Sequence, residues 1–529
     1  MTPPVGGRPA VAMAVATALS RATGLARTVA LASALGVTAL ADAYNVANTV
    51  PTMVFTFVVG GVATSALVPL LVRSAASGGQ AETAGRLMGA STAVGVLASA
   101  LLLFAAPVVV HVLTIGAGGR ANTDAYRQLA TTWLRWCAPQ VAFYAVGVAA
   151  TSILNANRRL FLAAFAPVLT NVMTIASVAA FVGLASGKLG SASAPQGAVA
   201  ALGAGTTAAV GAATLLQVLG ARRVHRSLRP AFDLRHPEIR ALVPRAGWMI
   251  LYVAMNQVGL AVVVAIASSR SGALSAYQWA FAMMQLPYAL IAVSVLTAAY
   301  PVLTTSINEP VSLRRVLRQT GASMWTLLLP AAVGLWVLAD PIAVSLVGAD
   351  GADFVASATR GFAVSLAPFA AFQLLTRLSY ARDDTRTPAL VNIAVNGANI
   401  GAALIAVAIS RSPQSLLFGL AAAHATSYVV GCIAMLWSFR ATGLVLVGDL
   451  LHGTGLGVQA AALGGAVAVA TRAGFGYERT TGRPIAVVTV LAAASCGGLA
   501  VAVLMMAQGR GRRAGPVEPL AQEGSEPTQ

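Results

Sequence analysis

The sequence predicts an all-α polytopic membrane protein of about fourteen transmembrane helices, arranged as two six-helix lobes around a central cavity plus two C-terminal helices. Apolar stretches long enough to cross a ~30 Å hydrocarbon core as helices recur almost from end to end. Only 9% of the 529 residues are charged, against about 25% in a soluble domain. One long basic interruption follows the sixth stretch. No alternation of about ten residues dominates, which argues against a transmembrane β-barrel.

The first six stretches lie near residues 10–35, 43–72, 87–115, 126–154, 160–185 and 196–221. The first is too long for a signal peptide, carries internal arginines and leads into further spans. The second holds Pro51, Pro69 and the Gly60-Gly61 pair, and Pro107, Pro139 and Pro167 fall in or beside the next three. Such prolines free a backbone carbonyl and favour kinks, while paired glycines let helices approach closely or bend. The stretch Arg222 to Arg245 is a basic linker with room for a short surface helix.

Eight more stretches follow, near 246–269, 273–304, 317–345, 355–379, 388–410, 413–439, 448–471 and 484–507. The eighth contains Pro287 and Pro301, and the thirteenth Gly464-Gly465. The resulting organisation is an N-terminal lobe (1–221), the linker (222–245), a C-terminal lobe (246–440), a final helix pair (441–507) and a tail (508–529). The tail turns from basic to Pro/Glu-rich and reads as disordered. Paired six-span halves are common in transporters that bind substrate between lobes.

The net charge of +18 follows topology rather than nucleic-acid binding. With an even number of spans, about 22 of the 34 Lys and Arg residues fall on the side of both termini, and about nine on the other. Positively charged loops stay in the cytoplasm, so both termini are expected there, in a cell inner or plasma membrane. Attraction to anionic membrane lipids is a secondary consequence.

Composition leaves little room for catalysis. Most of the 16 acidic residues belong to loops or the tail, and none forms a buried carboxylate pair. The five histidines are dispersed, without metal-ligand spacing. No phosphate-cradling loop is present, and Cys137, Cys432 and Cys496 are too scattered for a disulfide framework. No cofactor or metal is expected. His424, within a span, fits either helix packing or a proton relay.

The remaining signal is Arg21 and Arg27, inside the first stretch. An arginine at the bilayer centre costs roughly 2.5–3.5 kcal/mol on insertion scales, so two of them should face protein, water or an anion. Six residues apart, they differ by about 9 Å in height on a helix and lie on different sides of it, so they can flank a broad cavity. Their planar donors suit phosphate. The alternatives are that Arg21 pairs with Asp42, or that Arg27 snorkels to an interface. Asp42 itself can cap its helix, partner an arginine, or both.

Several stretches together resemble the MurJ/MviN family of lipid II flippases. They are SRATGLAR (20–27), ADAYNVANTVP (41–51), SALVPLL (65–71), LNANRRLFLAAFAPVLTN (154–171), YQWAFAMMQLP (277–287) and YARDDTRTP (380–388). The resemblance implies a fold of the multidrug/oligosaccharidyl-lipid/polysaccharide exporter superfamily, with a cationic cavity and a polyprenyl groove formed by the last two helices. It also implies transfer of an undecaprenyl-pyrophosphate-linked peptidoglycan precursor between leaflets. By position, Ser20, Arg21 and Arg27 match cavity residues, Asp42 the acidic residue opening the second helix, and Pro167 the fifth-helix proline. Some positions depart: Phe55 and Gly60 stand where the family often has an arginine and a glutamate, and Phe281-Ala282 where it has an Asp-Arg pair. These departures fit a divergent, actinobacterial-like member or a paralogue with another lipid-linked substrate. Near the sodium site of some members, Asp384 is acidic, but the seventh span offers only Asn256 and Gln257.

The rival readings are an exporter of another lipid-linked glycan, a multidrug exporter, and a non-transporting scaffold. A cation exporter should need a membrane-embedded carboxylate, for which Asp42 and Asp340 are the candidates. A scaffold would recruit wall-synthesis proteins through the linker and tail.

Overall fold

The structure is a computed structural model that describes residues 7–60, 67–76, 78–119, 122–187, 193–226, 228–233, 236, 247–440, 447–478 and 482–513. The first part contains α1 (Gly7–Leu35), α2 (Ala39–Phe55), α3 (Leu67–Ala76), α4 (Gln80–Leu113), α5 (Thr123–Cys137), α6 (Gln140–Ala156), α7 (Leu160–Ala185) and α8 (Gln196–Val224). The second contains α9 (Gly247–Ala267), α10 (Ala273–Pro287), α11 (Val293–Thr305), α12 (Pro310–Val337), α13 (Ala339–Val347), α14 (Ala352–Ala381), α15 (Arg386–Ile409) and α16 (Pro413–Arg440). A short α17 (Val447–Leu450) precedes the last pair, α18 (Thr454–Gly474) and α19 (Arg483–Arg513).

Among the described residues, twelve helices are long and apolar enough to cross a membrane. The other two stretches expected to span are α1, with its arginines, and the interrupted α2–α3 segment. That segment passes from α2 through a π turn at Thr56–Gly60, and residues 61–66 lie outside the described residues. Large apolar side chains such as Phe104 (82% exposed) and Trp437 (72%) point outward, where lipid tails are the solvent.

Prolines divide several spans. Pro139 separates α5 from α6, and a π turn at Tyr288–Ala292 follows Pro287 between α10 and α11. Pro341 has no N–H to give the Val337 carbonyl. Arg472 Nη1 of α18 donates to that oxygen instead, at 3.3 Å, so the break between α12 and α13 becomes an anchor for the final pair. The same guanidinium reaches Asp340, which Arg360 also holds at 2.6 Å. Asp340 is thus committed to two arginines rather than offered to a cation.

α1 packs on α7, α7 on α8, and α5 and α2 on each other; in the second lobe α14 packs on α16, and α15 on α16 and α9. The pair α18–α19 packs against α12. The lobes meet at one face, called here the clasp face. There Val37, in the α1–α2 loop, is wedged between two glycines: a Cβ on Gly272 would lie 2.5 Å from Val37 O, and one on Gly351 2.6 Å from Val37 Cβ. Ser33 Oγ donates to Leu346 O at 3.0 Å nearby.

The opposite, basic face holds the turns around Arg158, Arg159, Arg382 and Arg386 and the start of the linker. Ala231 N of that linker donates to Gly85 O at 2.9 Å, and a Cβ on Gly89 would lie 2.1 Å from Ala231 O. The linker's first residues therefore lie directly on α4. Of the linker expected to hold a short surface helix, residues 225–226, 228–233 and 236 are not helical, and 227, 234–235 and 237–245 lie outside the described residues, as does most of the tail. α19 runs past the expected boundary at 507 to Arg513.

Candidate functional site

α1 is fixed on α7 by one side chain. Asn171 Nδ2 donates to Ser20 O at 3.2 Å and to Thr23 Oγ1 at 3.1 Å. The helices run close at Gly24, where a Cβ would sit in van der Waals contact with the same amide nitrogen, at 3.5 Å. The rest of α1 then turns toward the second lobe.

A cavity of ≈620 Å³ opens between the lobes. Thr17, Ser20, Arg21, Arg27 and Thr28 of α1, Pro167 and Asn171 of α7, and Phe281, Ala282, Gln285 and Leu286 of α10 line it. Four of the residues expected at the site, Ser20, Arg21, Arg27 and Pro167, come together here. Arg27 also lines a smaller chamber of ≈310 Å³ inside the first lobe, behind Pro167 and Asn171.

Neither arginine is neutralised by a carboxylate within 4 Å among the described residues; the acidic side chains at membrane depth are engaged elsewhere. Arg27 Nε is buried and has no hydrogen-bond partner among the described residues, while Arg21 is exposed and lines the cavity. A buried donor left unmatched costs about 1–3 kcal/mol. Two permanent charges with forked donors, one of them partly unsatisfied, have the chemistry to pair with an anion that carries several acceptor oxygens.

Asp42 is not brought to the cavity. It is fully buried at the clasp face, where its carboxylate accepts hydrogen bonds from Gly272 N (2.7 Å), Ser275 N (2.9 Å) and Ser275 Oγ (2.8 Å). Its own helix is capped by Thr38, whose Oγ1 accepts from Ala41 N at 3.1 Å. Asp42 is therefore a cap, but for α10 of the other lobe, and it does not pair with Arg21. The reason is electrostatic: the free N–H groups and partial positive charge of a helix start attract a carboxylate.

His424 lies among Phe281, Phe362, Phe369 and Tyr428, with ring centroids 4.7–5.8 Å away. Among the described residues its buried Nδ1 has no hydrogen-bond partner, which favours packing over relay. Asp384 accepts from Thr387 N at 2.9 Å, and Asn256 pairs with Asn396 at 3.2 Å.

A third feature is a groove of ≈430 Å³ between α12, α18 and α19. Leu327, Pro330, Gly334, Gly464, Ala468, Gly497 and Met505 are among its almost wholly apolar lining. Glycines at 464, 497 and 498 leave the groove open where side chains would fill it.

The family model for the lipid II flippase MurJ matches residues 31–493. The chain belongs to the MurJ family. Curated MurJ relatives include a lipid II flippase of Burkholderia cenocepacia, 28% identical over 380 residues, covering 68% of this chain and 70% of that protein. A probable lipid II flippase of Rhizobium tropici is 26% identical over 453 residues, covering 80% and 81%. A solved lipid II flippase MurJ in an inward closed conformation superposes with a TM-score of 0.73 at 18% identity, covering 95% of this chain and 100% of that one. An inward-facing multidrug resistance MATE family transporter of the MOP superfamily gives 0.64 at 14% identity, covering 80% and 95%; these two likenesses concern the fold.

Within the MurJ family this chain has an aromatic cavity wall where the resemblance implies charge. Phe55 lines the side chamber, and Phe281 and Ala282 line the main cavity. Sequence reasoning missed Asn171, although it closes the quoted 154–171 stretch. It also missed Gly272 and Ser275, for which no local signal exists.

Proposed function

We propose that this chain flips lipid II, the undecaprenyl-pyrophosphate-linked peptidoglycan precursor, from the inner to the outer leaflet for cell-wall synthesis. The reading places the clasp face outside, the basic face and both termini in the cytoplasm, and the protein in the inner or plasma membrane. Ser20, Arg21, Arg27 and Pro167 receive the pyrophosphate head, and the polyprenyl tail lies in the groove at α18–α19. Alternating access then requires the clasp to open as the lobes rock, with the tail remaining in lipid. A charge that moves through the field is biased by ~2.3 kcal/mol per 100 mV.

The observation that carries this reading is Arg27, a cavity guanidinium whose Nε is buried without a hydrogen-bond partner among the described residues. Complementation of a flippase-depleted strain, combined with a leaflet assay for externally accessible lipid II, tests it. Arg21→Glu or Arg27→Glu is expected to abolish rescue. Full rescue by an expressed Arg21→Ala/Arg27→Ala protein rejects it.

A further inference from the structure

The side chamber behind Arg27 has a chemistry unlike that of the main cavity. Arg27 stands at the junction, lining both spaces. Beyond it the polar groups are neutral: Thr151 of α6, Thr170 of α7, and Thr214 and Gln217 of α8. Phe55 and Tyr144 form an aromatic wall, their ring centroids 5.5 Å apart.

Two of the polar groups are uncommitted. Thr214 Oγ1 donates to Phe143 O at 3.0 Å, and Thr170 Oγ1 to Ala166 O at 3.4 Å. Thr151 and Gln217 have no hydrogen bond to protein among the described residues. Space is kept for the Gln217 amide by Gly147, where a Cβ would lie 2.9 Å from Gln217 Oε1.

We propose that this chamber is a saccharide subsite: it takes one N-acetylated sugar ring attached to a pyrophosphate held at Arg27. An apolar ring face lies on the aromatic wall, and hydroxyl and acetamido groups exchange hydrogen bonds with Thr151 and Gln217. An amide both donates and accepts, as a sugar requires, whereas a second phosphate would want further cations. At ≈310 Å³ the chamber is at the lower end of ligand pockets, which run from about 300 to 1,000 Å³. It fits one ring, and the rest of the head group stays in the main cavity. The inference rests on the lipid-carrier reading above and adds the part of the head group that gives selectivity.

Binding to the purified full-length protein tests it, using two probes: a short-chain prenyl pyrophosphate, bare and bearing one N-acetylated hexose. The wild type should bind the glycosylated probe more tightly, by about fivefold per net hydrogen bond. Gln217→Leu and Thr151→Val should each lose about that factor for the glycosylated probe alone, whereas Thr151→Ser, which keeps the hydroxyl, should retain it. Thermal unfolding of each variant separates misfolding from lost recognition. Equal affinity of the wild type for both probes overturns the chamber's role alone, as does equal weakening of both probes in folded variants. Failure of the wild type to bind either probe overturns the lipid-carrier reading with it.

Discussion

Asp42 and Ser275 join the lobes: one carboxylate oxygen accepts from both the backbone N and the Oγ of Ser275, at 2.9 and 2.8 Å. Asn45 Nδ2 donates to the same hydroxyl at 3.0 Å, and Gly272 N engages the other carboxylate oxygen at 2.7 Å. The hydrogen bonds named here between the lobes, including Gln278 to Thr49 at 3.2 Å and Trp279 to Gly36 O at 3.4 Å, all lie toward the clasp face. The carboxylate therefore holds one conformational state.

Asp42→Asn should weaken that state, because the amide returns fewer charge-assisted bonds to the start of α10. Loss of hydrogen bonds to a charged group is worth about 2 kcal/mol, enough to move a two-state equilibrium roughly thirtyfold. Spin labels at Ser193→Cys and Ser412→Cys, exposed at the clasp face on opposite lobes, with Cys496→Ser in both proteins, would read it. The distance distribution should gain a longer component in Asp42→Asn. An unchanged distribution would remove Asp42 from the clasp.

Gly351→Ala should loosen the same face by a steric route. Gly351 has φ +78°, and the added Cβ would meet Val37 at 2.6 Å. Left-handed backbone with a side chain costs of order 1–3 kcal/mol, so the clasped state should lose population and the unfolding temperature should fall. Val37→Gly in the same protein should recover part of the loss, because it removes the Cβ that the new methyl meets while leaving the backbone strain at 351.

Arg27→Met is expected to maintain or raise the unfolding temperature of the ligand-free protein while abolishing transport. The guanidinium has an unmatched buried donor, so its removal relieves a desolvation penalty instead of breaking a bond. A drop of several degrees would show that Arg27 serves the fold. Arg27→Lys keeps the charge but loses the planar fork, and transport should fall about tenfold, the equivalent of 1.4 kcal/mol.

Asn171→Leu should act through α1. It removes the bonds to Ser20 O and Thr23 Oγ1, about 1 kcal/mol each, and frees the helix that carries both arginines. Transport should decline with protein abundance preserved, and Asn171→Gln should not restore it, since the longer amide overshoots the close crossing at Gly24. Rescue equal to wild type by Asn171→Leu would refute this positioning role.

Hydropathy and charge in the sequence determined the helical spans, the asymmetry between the two faces and the arginines at membrane depth. Each depends on local composition, because a lipid-facing helix must satisfy its backbone within its own segment. Tertiary structure alone decided the partners. Asp42 and Ser275 are 233 residues apart, and a carboxylate near a helix start reads as that helix's own cap until another helix start is placed against it. Likewise, the sequence set two arginines in α1 without revealing whether a carboxylate would meet them. Only the packing of α1 on α7, and of the lobes at one face, left Arg27 turned toward empty space. Charge satisfaction is a property of what surrounds a group in three dimensions, and a linear chain does not display it.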